Sequence, residues 1–509
     1  MLDQNEKQSD VLREDLQVPS RSASIVSVDE HAERRLVRKI DTRILPILCL
    51  LYLFAYLDRT NLGNARLQGL PQDTLHGDPT GKKFDWVNSA FFFSYILVQV
   101  PATILAKLFR PRIWIGCMAI GWGISSTLMA TAFDFSGLMV ARIALGTFEA
   151  GFGPGIPVYM LSVQALYYTK EELGLRMAYW FGFAAVAGAF GGLIAFGIQN
   201  AHLVRHIPLA ISNWRLLFIV EGIPAVLLGL VCIWFLPDRP DEPSWHFTED
   251  ERNLSIARMN RYSTKEGTRS VNKHHIKEAF KDWKIYVGGV IYFGLNNALA
   301  SISAFLPTIL KTFGFTNADA QLLTVAPYAC ATVVIVLLSW LSDRLQTRGL
   351  VVASSCTIAA IGYILLLTVV SNVHVRYFAV FCITSGTYTS IGLVIAWFAH
   401  NLASETKRAT GVPMFMAIGQ CGSILGSHIY PSTQGPKYIK GFAGKSIQFL
   451  GMQRAYRLSS ILCPSIHSRT VSYRLENRRR DKVFGKPISG EQINTSENAD
   501  KAPAFRYLP

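Results

Sequence analysis

Ile44 to Leu57 is a run of fourteen residues without a charge, and it leads directly into Asp58-Arg59-Thr60-Asn61. A bilayer core of about 30 Å takes about 20 helical residues to cross. The helix that starts here therefore spans only if it continues through those polar positions toward Arg66. The one helix breaker ahead of Asp58 is Pro46, tolerable in a first turn, where its missing N–H has no helical partner in any case. Each charge near mid-bilayer costs about 2.5 to 3.5 kcal/mol even on the lenient insertion scale. The pair is expected to face protein or water rather than lipid, and the rest of the chain must supply its partners.

The 509 residues are 50% hydrophobic and 17% charged, with a mean hydropathy of +0.26. Such a chain is too apolar for an ordinary soluble enzyme and long enough for about a dozen membrane helices. The expected class is an all-α polytopic membrane protein embedded in a lipid bilayer. A net charge of +15 would suggest nucleic acid if the Lys and Arg formed one patch. Here they sit in alternate loops and in the two tails, the positive-inside pattern, and no basic–aromatic module for nucleic acid is present. The eight Cys are scattered singly, with no CxxC and no Cys/His cluster, so buried thiols are expected and neither metal nor cofactor is. His202 and His206 in a loop and His400 at a helix end have no metal-ligand spacing. No nucleophile motif or phosphate loop marks an enzyme.

Residues 1–40 are polar, without apolar period, and end in Arg34, Arg35, Arg38 and Lys39. They read as a disordered cytosolic tail with no cleavable signal peptide, and with Leu2 after the initiator Met, where myristoylation would need a glycine, no lipid anchor is expected. Residues 41–236 hold six spans: Ile44 to Arg66, Phe84 to Phe109, Ile113 to Ala132, Gly137 to Met160, Met177 to Gln199 and Trp214 to Leu236. Residues 237–283 form a cytosolic linker of mixed charge, so the sequon at Asn253 should stay unmodified. Residues 284–441 hold five more spans: Ile285 to Leu310, Ala320 to Leu341, Leu350 to Val370, Tyr377 to Ala399 and Thr410 to Tyr430. Basic residues cluster at the amino end and after spans 2, 4 and 6, which places the amino terminus in the cytosol. The loop Ser342 to Arg348 stands between spans 8 and 9 as Lys107 to Arg112 stands between spans 2 and 3, the trace of a six-helix repeat.

The loop SDRLQTR at Ser342 to Arg348 resembles the signature loop of the major facilitator superfamily, and AKLFRPR at Ala106 to Arg112 resembles its degraded first copy. Sharper are LLYLFAYLDRTNLGNA at Leu50 to Ala65, RIALGTFEAGFGPG at Arg142 to Gly155, NWRLLFIVEGIP at Asn213 to Pro224 and SILGSHIYPSTQGPKYIKG at Ser423 to Gly441. Together these resemble the fungal allantoate and nicotinate permease group within the anion:cation symporter family, over roughly Arg38 to Phe442. Gln99 stands where that group has Glu, and Thr103 where Asn is usual. The resemblance implies twelve helices in two pseudo-symmetric bundles, a central substrate site, and a monomer in a fungal plasma membrane. It also implies proton-coupled uptake of a small carboxylate such as allantoate, nicotinate or a related acid. Asp343, Arg344 and Arg348 fall in its gating loop.

With a rise of about 1.5 Å per residue, Asp58 and Arg59 lie about 21 Å above the cytosolic edge and Arg142, on a descending helix, about 22 Å above it. Glu149 follows Arg142 by two turns on one face, and Glu221 comes out near the arginine level. Carboxylate transport requires a fixed cation, for which the planar guanidinium fork is suited. It also requires an acid that can be neutralised. The expected roles are Arg59 and Arg142 on the substrate carboxylate, with Asp58 and Glu149 carrying the proton and Glu221 as a further candidate. Internal salt bridges that only join helices, or snorkelling of the Asp58–Arg59 pair, would use the same residues. Asn296 and Asn297 in span 7, Trp397 and Asn401 at the end of span 10, and Gln420 in span 11 could line the second half of a cavity or bond between helices. A nutrient sensor or defective permease that no longer transports, and a drug exporter, are the competing functions. GAFGG at Gly188 to Gly192 lacks the proline of the exporter motif.

After eleven spans the chain should emerge outside, yet Lys437, Lys440, Lys445, Arg454, Arg457 and Arg478-Arg479-Arg480 follow, a cluster that normally stays in the cytosol. The longest charge-free stretch between Phe442 and Tyr473, Leu458 to Ser468, is too short and too polar to cross. The resemblance returns at Arg474 to Gly485, RLENRRRDKVFG. Residues 442–509 are thus expected to be an aberrant segment, read in another frame or from an intron, followed by a basic tail. The alternative is a genuine eleven-span protein. A glycan at the Asn494 sequon would favour the latter.

Overall fold

A computed structural model describes residues 30–106, 108–153, 170–200, 211–238, 246–260, 273–345, 347–369, 371–402, 405–429, 442–445, 448 and 474–482. Among them eleven long helices follow in the expected order: α1 Leu45–Leu67, α2 Lys82–Ala106, α3 Pro111–Met129, α4 Phe135–Phe152, α5 Lys170–Asn200, α6 Asn213–Phe235, α7 Trp283–Lys311, α8 Val325–Leu345, α9 Arg348–Thr368, α10 Val373–His400 and α11 Glu405–Ser427. Local chemistry sets several of the starts. Pro46 sits at the opening of α1, and Asp134 caps α4 by accepting from Gly137 N–H at 2.7 Å. Asp282 and Asn372 cap α7 and α10 in the same way. Each supplies an acceptor for a donor the first turn leaves orphaned.

Eight of the described helices are long and apolar enough to cross a membrane by length and composition. The others, α3, α4 and α11, pack among them: α3 against α6 and α4, α4 also against α2, and α11 against α7 and α2. The helices form two bundles, α1–α6 and α7–α11. They meet along α2 with α11, α5 with α8, α1 with α7 and α5 with α10. Exchanging the first six helices for the second six turns α2 with α11 into α8 with α5, the pseudo-twofold that the loop repeat implies.

The seam between the bundles is closed at the end opposite the loop 108–110. There Asn88 Nδ2 donates to Ser427 Oγ at 2.9 Å, Asn317 Nδ2 to the Leu67 carbonyl at 3.1 Å, and Gln321 Nε2 to the Asn64 carbonyl at 3.4 Å. Gly63 lets α1 lie on α7, because a Cβ there would come within 2.6 Å of the Ala304 carbonyl. The Arg66 guanidinium lies 4.6 Å from the Phe84 ring and 5.4 Å from Phe305 of the other bundle.

At the basic-loop end, four ion pairs between described residues each lie within one bundle: Arg112 with Asp238 at 2.9 Å, Arg176 with Asp41 at 2.7 Å, Lys407 with Asp282 at 2.9 Å and Arg348 with Asp343 at 3.0 Å. An amphipathic helix, Glu30–Arg43, buries Leu36 and Ile40 and leaves Arg34, Arg35 and Arg38 exposed. Its Lys39 meets Glu251 at 2.5 Å, on Glu249–Asn260, one of two short helices among the described residues of the polar linker; the other is Lys273–Lys281.

Two boundaries differ from the sequence reading. α4 ends at Phe152, and residues 154–169 lie outside the described set. The eighth span divides into Asn317–Leu322 and α8, so Ser342 to Leu345 of the signature loop are still helical. Thr316 caps the first piece, its Oγ accepting from the Asp319 N–H. Among the described residues no twelfth spanning helix follows α11. Residues 442–445 are helical, as is 474–482, while 449–473, where a twelfth helix would fall, lie outside the described residues together with 1–29, His202, His206 and Asn494.

Candidate functional site

A cavity of about 390 Å³, part of it open to solvent, lies between the bundles, walled by α1, α2, α7 and α11. Each helix offers one face. Tyr56 and Arg59 are three apart on α1, Asn88 and Phe92 four apart on α2, and Gln420 and Ser423 three apart on α11, while Asn296, Leu299, Ala300 and Ser303 share a stripe of α7 with Ala304 beside it. Arg59 is the only charge among these lining residues. The walls otherwise combine amide and hydroxyl groups with aromatic and aliphatic surface.

Arg59 is held from behind. Its Nε donates to Glu149 Oε1 of α4 at 2.5 Å. The guanidinium also lies 4.9 Å from the Tyr95 ring, 5.0 Å from Phe91 and 5.5 Å from Tyr56, a cage that suits a flat, delocalised cation. The α2–α4 contact that brings Glu149 to it is close because Gly146 has no Cβ. One there would collide with the Phe91 carbonyl and Ser94 Oγ.

Asp58, one residue earlier, is turned about 100° around the helix and faces into the first bundle, fully buried. Ser126 of α3 donates to its Oδ1, and Oδ2 is buried without a hydrogen-bond partner. Arg142 reaches the Asp58 backbone carbonyl with Nη1 at 3.5 Å, while its Nε and Nη2 are buried and unpaired. On α6, Glu221 is fully buried, with Asn61 of α1 beside it. Three acids and two guanidiniums thus share the interior of one bundle. Gln99, also buried, leaves both amide atoms unpaired.

Of the expected site residues, Arg59 and Asn296 line the cavity and Glu149 touches it through Arg59. Arg142 and Asp58 lie in the bundle behind it. Asn297, next to Asn296, points elsewhere: its Oδ1 accepts from Lys445 Nζ at 2.6 Å and its Nδ2 donates to Gln448 Oε1 at 2.7 Å. Trp397 stacks edge-on with Phe398, and Asn401 ends α10, donating from Nδ2 to the Trp397 carbonyl at 3.1 Å. Neither residue is among the cavity's lining. Arg344 lies over the Trp340 ring, beside the Asp343–Arg348 pair. The sequence reading did not single out Tyr56, Asn88, Phe92, Ser303 or Ser423. Asn88, an amide inside an otherwise apolar stretch, carried a readable signal, whereas two serines on membrane helices look like ordinary packing positions.

A family model described as Major Facilitator Superfamily matches residues 48–427. The chain is 32% identical over 96% of its length to the major facilitator-type transporter hxnP of Emericella nidulans, covering 96% of that protein. It is 29% identical over 95% of its length to the high-affinity nicotinic acid transporter of Saccharomyces cerevisiae, covering 86% of it. Among solved structures it is similar to the partially occluded, inward-open xylose transporter XylE of E. coli, with a TM-score of 0.60 and 14% identity, covering 81% of this chain and 97% of that one. The human organic anion transporter MFSD10 aligns with a TM-score of 0.55 and 14% identity, over 82% of this chain and 98% of that one. At such identities the likeness is one of fold.

Proposed function

The chain belongs to the major facilitator superfamily, and from that premise we propose that it carries a small organic monocarboxylate across the membrane together with a proton. The observation that carries this reading is the pairing of the cavity's one charged lining residue, Arg59, with the buried acid Glu149 at 2.5 Å. A substrate carboxylate that enters must take Arg59 from Glu149. Glu149 would then be left as a lone buried anion, a state that costs several kcal/mol. Protonation removes that cost, so substrate binding and proton uptake favour each other. When the proton leaves, Glu149 recaptures Arg59 and expels the substrate.

One lining cation suits one carboxylate. The amides of Asn88, Asn296 and Gln420 and the hydroxyls of Ser303 and Ser423 offer hydrogen bonds to the remainder of the molecule, while Tyr56, Phe92 and Leu299 offer flat apolar surface. A nicotinate- or allantoate-like acid fits that chemistry, and a relative is named for nicotinic acid transport. In this reading the basic-loop end faces the cytosol of a fungal cell and the protein works as a monomer. Asp58 and Arg142 act from behind the cavity, and Asp343, Arg344 and Arg348 work at the cytosolic gate.

The test is uptake of radiolabelled nicotinate and allantoate by purified protein in liposomes, with and without an inward proton gradient. Accumulation that follows the gradient and collapses with an uncoupler is expected. Accumulation independent of the gradient would overturn proton coupling, and binding without passage would mark a sensor.

A further inference from the structure

The short helices ahead of α1 and α7, Glu30–Arg43 and Lys273–Lys281, answer to each other under the pseudo-twofold. At the end of each, an acid takes a cation near the start of a neighbouring long helix: Asp41 pairs with Arg176 of α5 at 2.7 Å, and Asp282 with Lys407 of α11 at 2.9 Å. Their basic residues differ in what they meet. Lys39 of the first helix is held by Glu251 at 2.5 Å. Lys273, Lys277 and Lys281 of the second are exposed and make no ion pair among the described residues. With successive residues about 100° apart, these lysines fill an arc of about 80°. It lies opposite His275 and Ala279, which are buried where the helix packs on α11. Glu278, the one acid of this helix, falls outside the arc.

An outward-facing stripe leads from the membrane to these lysines. Val290, Tyr286 and Trp283 share one face of α7 and are 68%, 44% and 55% exposed, and Phe280, 51% exposed, continues the line three residues after Lys277. The Tyr286 hydroxyl donates to the Phe280 carbonyl at 2.7 Å and fixes the corner between the two helices. The order from Val290 outward is aliphatic, aromatic, then cationic, which matches the acyl chains, interface and phosphates of a lipid leaflet. We propose that this corner binds an anionic phospholipid of the leaflet at the basic-loop end. The lysine ammoniums take its phosphate oxygens, their stems lying along apolar surface, and Phe280, Trp283 and Tyr286 cover the glycerol and upper acyl chains. A choline headgroup has the same phosphate, but its own cation is repelled by the lysines, so net charge selects the lipid. The lipid anchors the start of α7, one wall of the cavity. The site goes beyond the transport reading and does not depend on it.

Native mass spectrometry of the full chain, extracted in mild detergent from membranes of mixed phosphatidylserine and phosphatidylcholine, counts the lipids retained. The parent should retain phosphatidylserine in preference. Lys277→Gln should cut that preference about fivefold, the share of one lysine at an anionic surface. Lys273→Gln, Lys277→Gln and Lys281→Gln together should abolish it. Arg35→Gln with Arg38→Gln, which removes exposed charge from the helix ahead of α1, should leave it in place. High salt, which screens exposed charge, should weaken the preference in the parent, with no variant needed. A parent that retains both lipids alike overturns the proposal, as does a preference that survives high salt or the triple substitution. An arginine variant that loses as much as the lysine variant also overturns it, since general positive charge would then be the cause. If retention behaves as expected while the parent moves no carboxylate, the transport reading fails and the lipid site stands.

Discussion

Arg59 of α1 pairs with Glu149 of α4, Nε to Oε1 at 2.5 Å, although Arg142 lies two turns from Glu149 on its own helix. Arg142 reaches instead to the Asp58 carbonyl. The acid thus serves the arginine that faces the cavity, and the cavity's charge is set by one pair spanning two helices.

Arg59→Lys should lose most uptake although the charge is kept. An ammonium cannot hold Glu149 or a substrate carboxylate through a planar fork, and it fits the cage of Tyr56, Phe91 and Tyr95 less well. A charge-assisted hydrogen bond is worth about 1.5–3 kcal/mol, so kcat/KM should fall by at least about tenfold. Initial rates in proteoliposomes measure this, and near-parent rates would leave Arg59 a structural cation.

Glu149→Gln removes the titrating acid while keeping a group that can lie against Arg59. Accumulation driven by a proton gradient should disappear, whereas exchange of labelled for unlabelled substrate should persist, because exchange needs no deprotonated return step. Equal gradient-driven uptake by variant and parent would remove Glu149 from coupling.

The order of the spans, the two-bundle architecture and the family were legible because each rests on composition and local spacing. Apolar runs mark helices, and the basic loops 106–112 and 342–348 mark the repeat. The level of Arg59 and Arg142 was legible too, since rise per residue is fixed, and Arg142 does reach the turn that carries Arg59. Direction was not legible. Adjacent residues point about 100° apart, so Asp58 enters the bundle while Arg59 enters the cavity, and Asn296 and Asn297 divide in the same way. Which way each turns is set by packing, such as the Gly146 contact that brings α2 and α4 together, and a hydropathy pattern averages over that.

Gly63→Val should open the seam opposite the basic loops. A Cβ at Gly63 would come within 2.6 Å of the Ala304 carbonyl, a backbone atom that cannot turn aside. Overpacking of this kind costs about 1–3 kcal/mol, a shift of about 5- to 150-fold between two states. With Ser303→Cys as a reporter in a background without other exposed cysteines, an impermeant maleimide added on the seam side should label the variant faster than the same reporter carrying Gly63. Unchanged labelling would mean that the contact does not govern access.

Attachment of the amino-terminal helix should depend on pH. Partial burial works against ionisation of Glu251, but the Lys39 ammonium and the Thr248 backbone and hydroxyl outweigh it and hold the carboxyl below its ordinary range. A lowered acid stabilises the folded arrangement above its unfolded value, about 4.3, and that stabilisation is lost as pH falls through the folded value. The pair is partly exposed, so its share is about 0.2–1 kcal/mol. A spin label at Thr42→Cys should be less mobile at about pH 6 than at about pH 3, and Glu251→Gln should flatten the difference.

The last expectation concerns the flank of the second bundle. In the first bundle α3 is covered by α6, so closely that a Cβ on Gly123 would lie 2.8 Å from Val226 Cγ2. By the pseudo-twofold, α9 answers to α3 and a twelfth helix to α6. Among the described residues no spanning helix follows α11. The nearby segment meets α7 through polar groups instead, with Lys445 and Gln448 on Asn297. Lys445 is wholly buried, and a buried ammonium is poor cement: replacing buried charge by apolar packing is often neutral or stabilising by about 1–4 kcal/mol. A chain in which residues 443–473 are replaced by about 20 apolar helical residues, the length a span requires, should therefore unfold at a higher temperature in detergent and accumulate more substrate. Transcripts that encode such a run across Phe442 to Arg474 would account for the gain. An unaltered chain that matches the replaced one in both stability and uptake would instead show that eleven spans suffice.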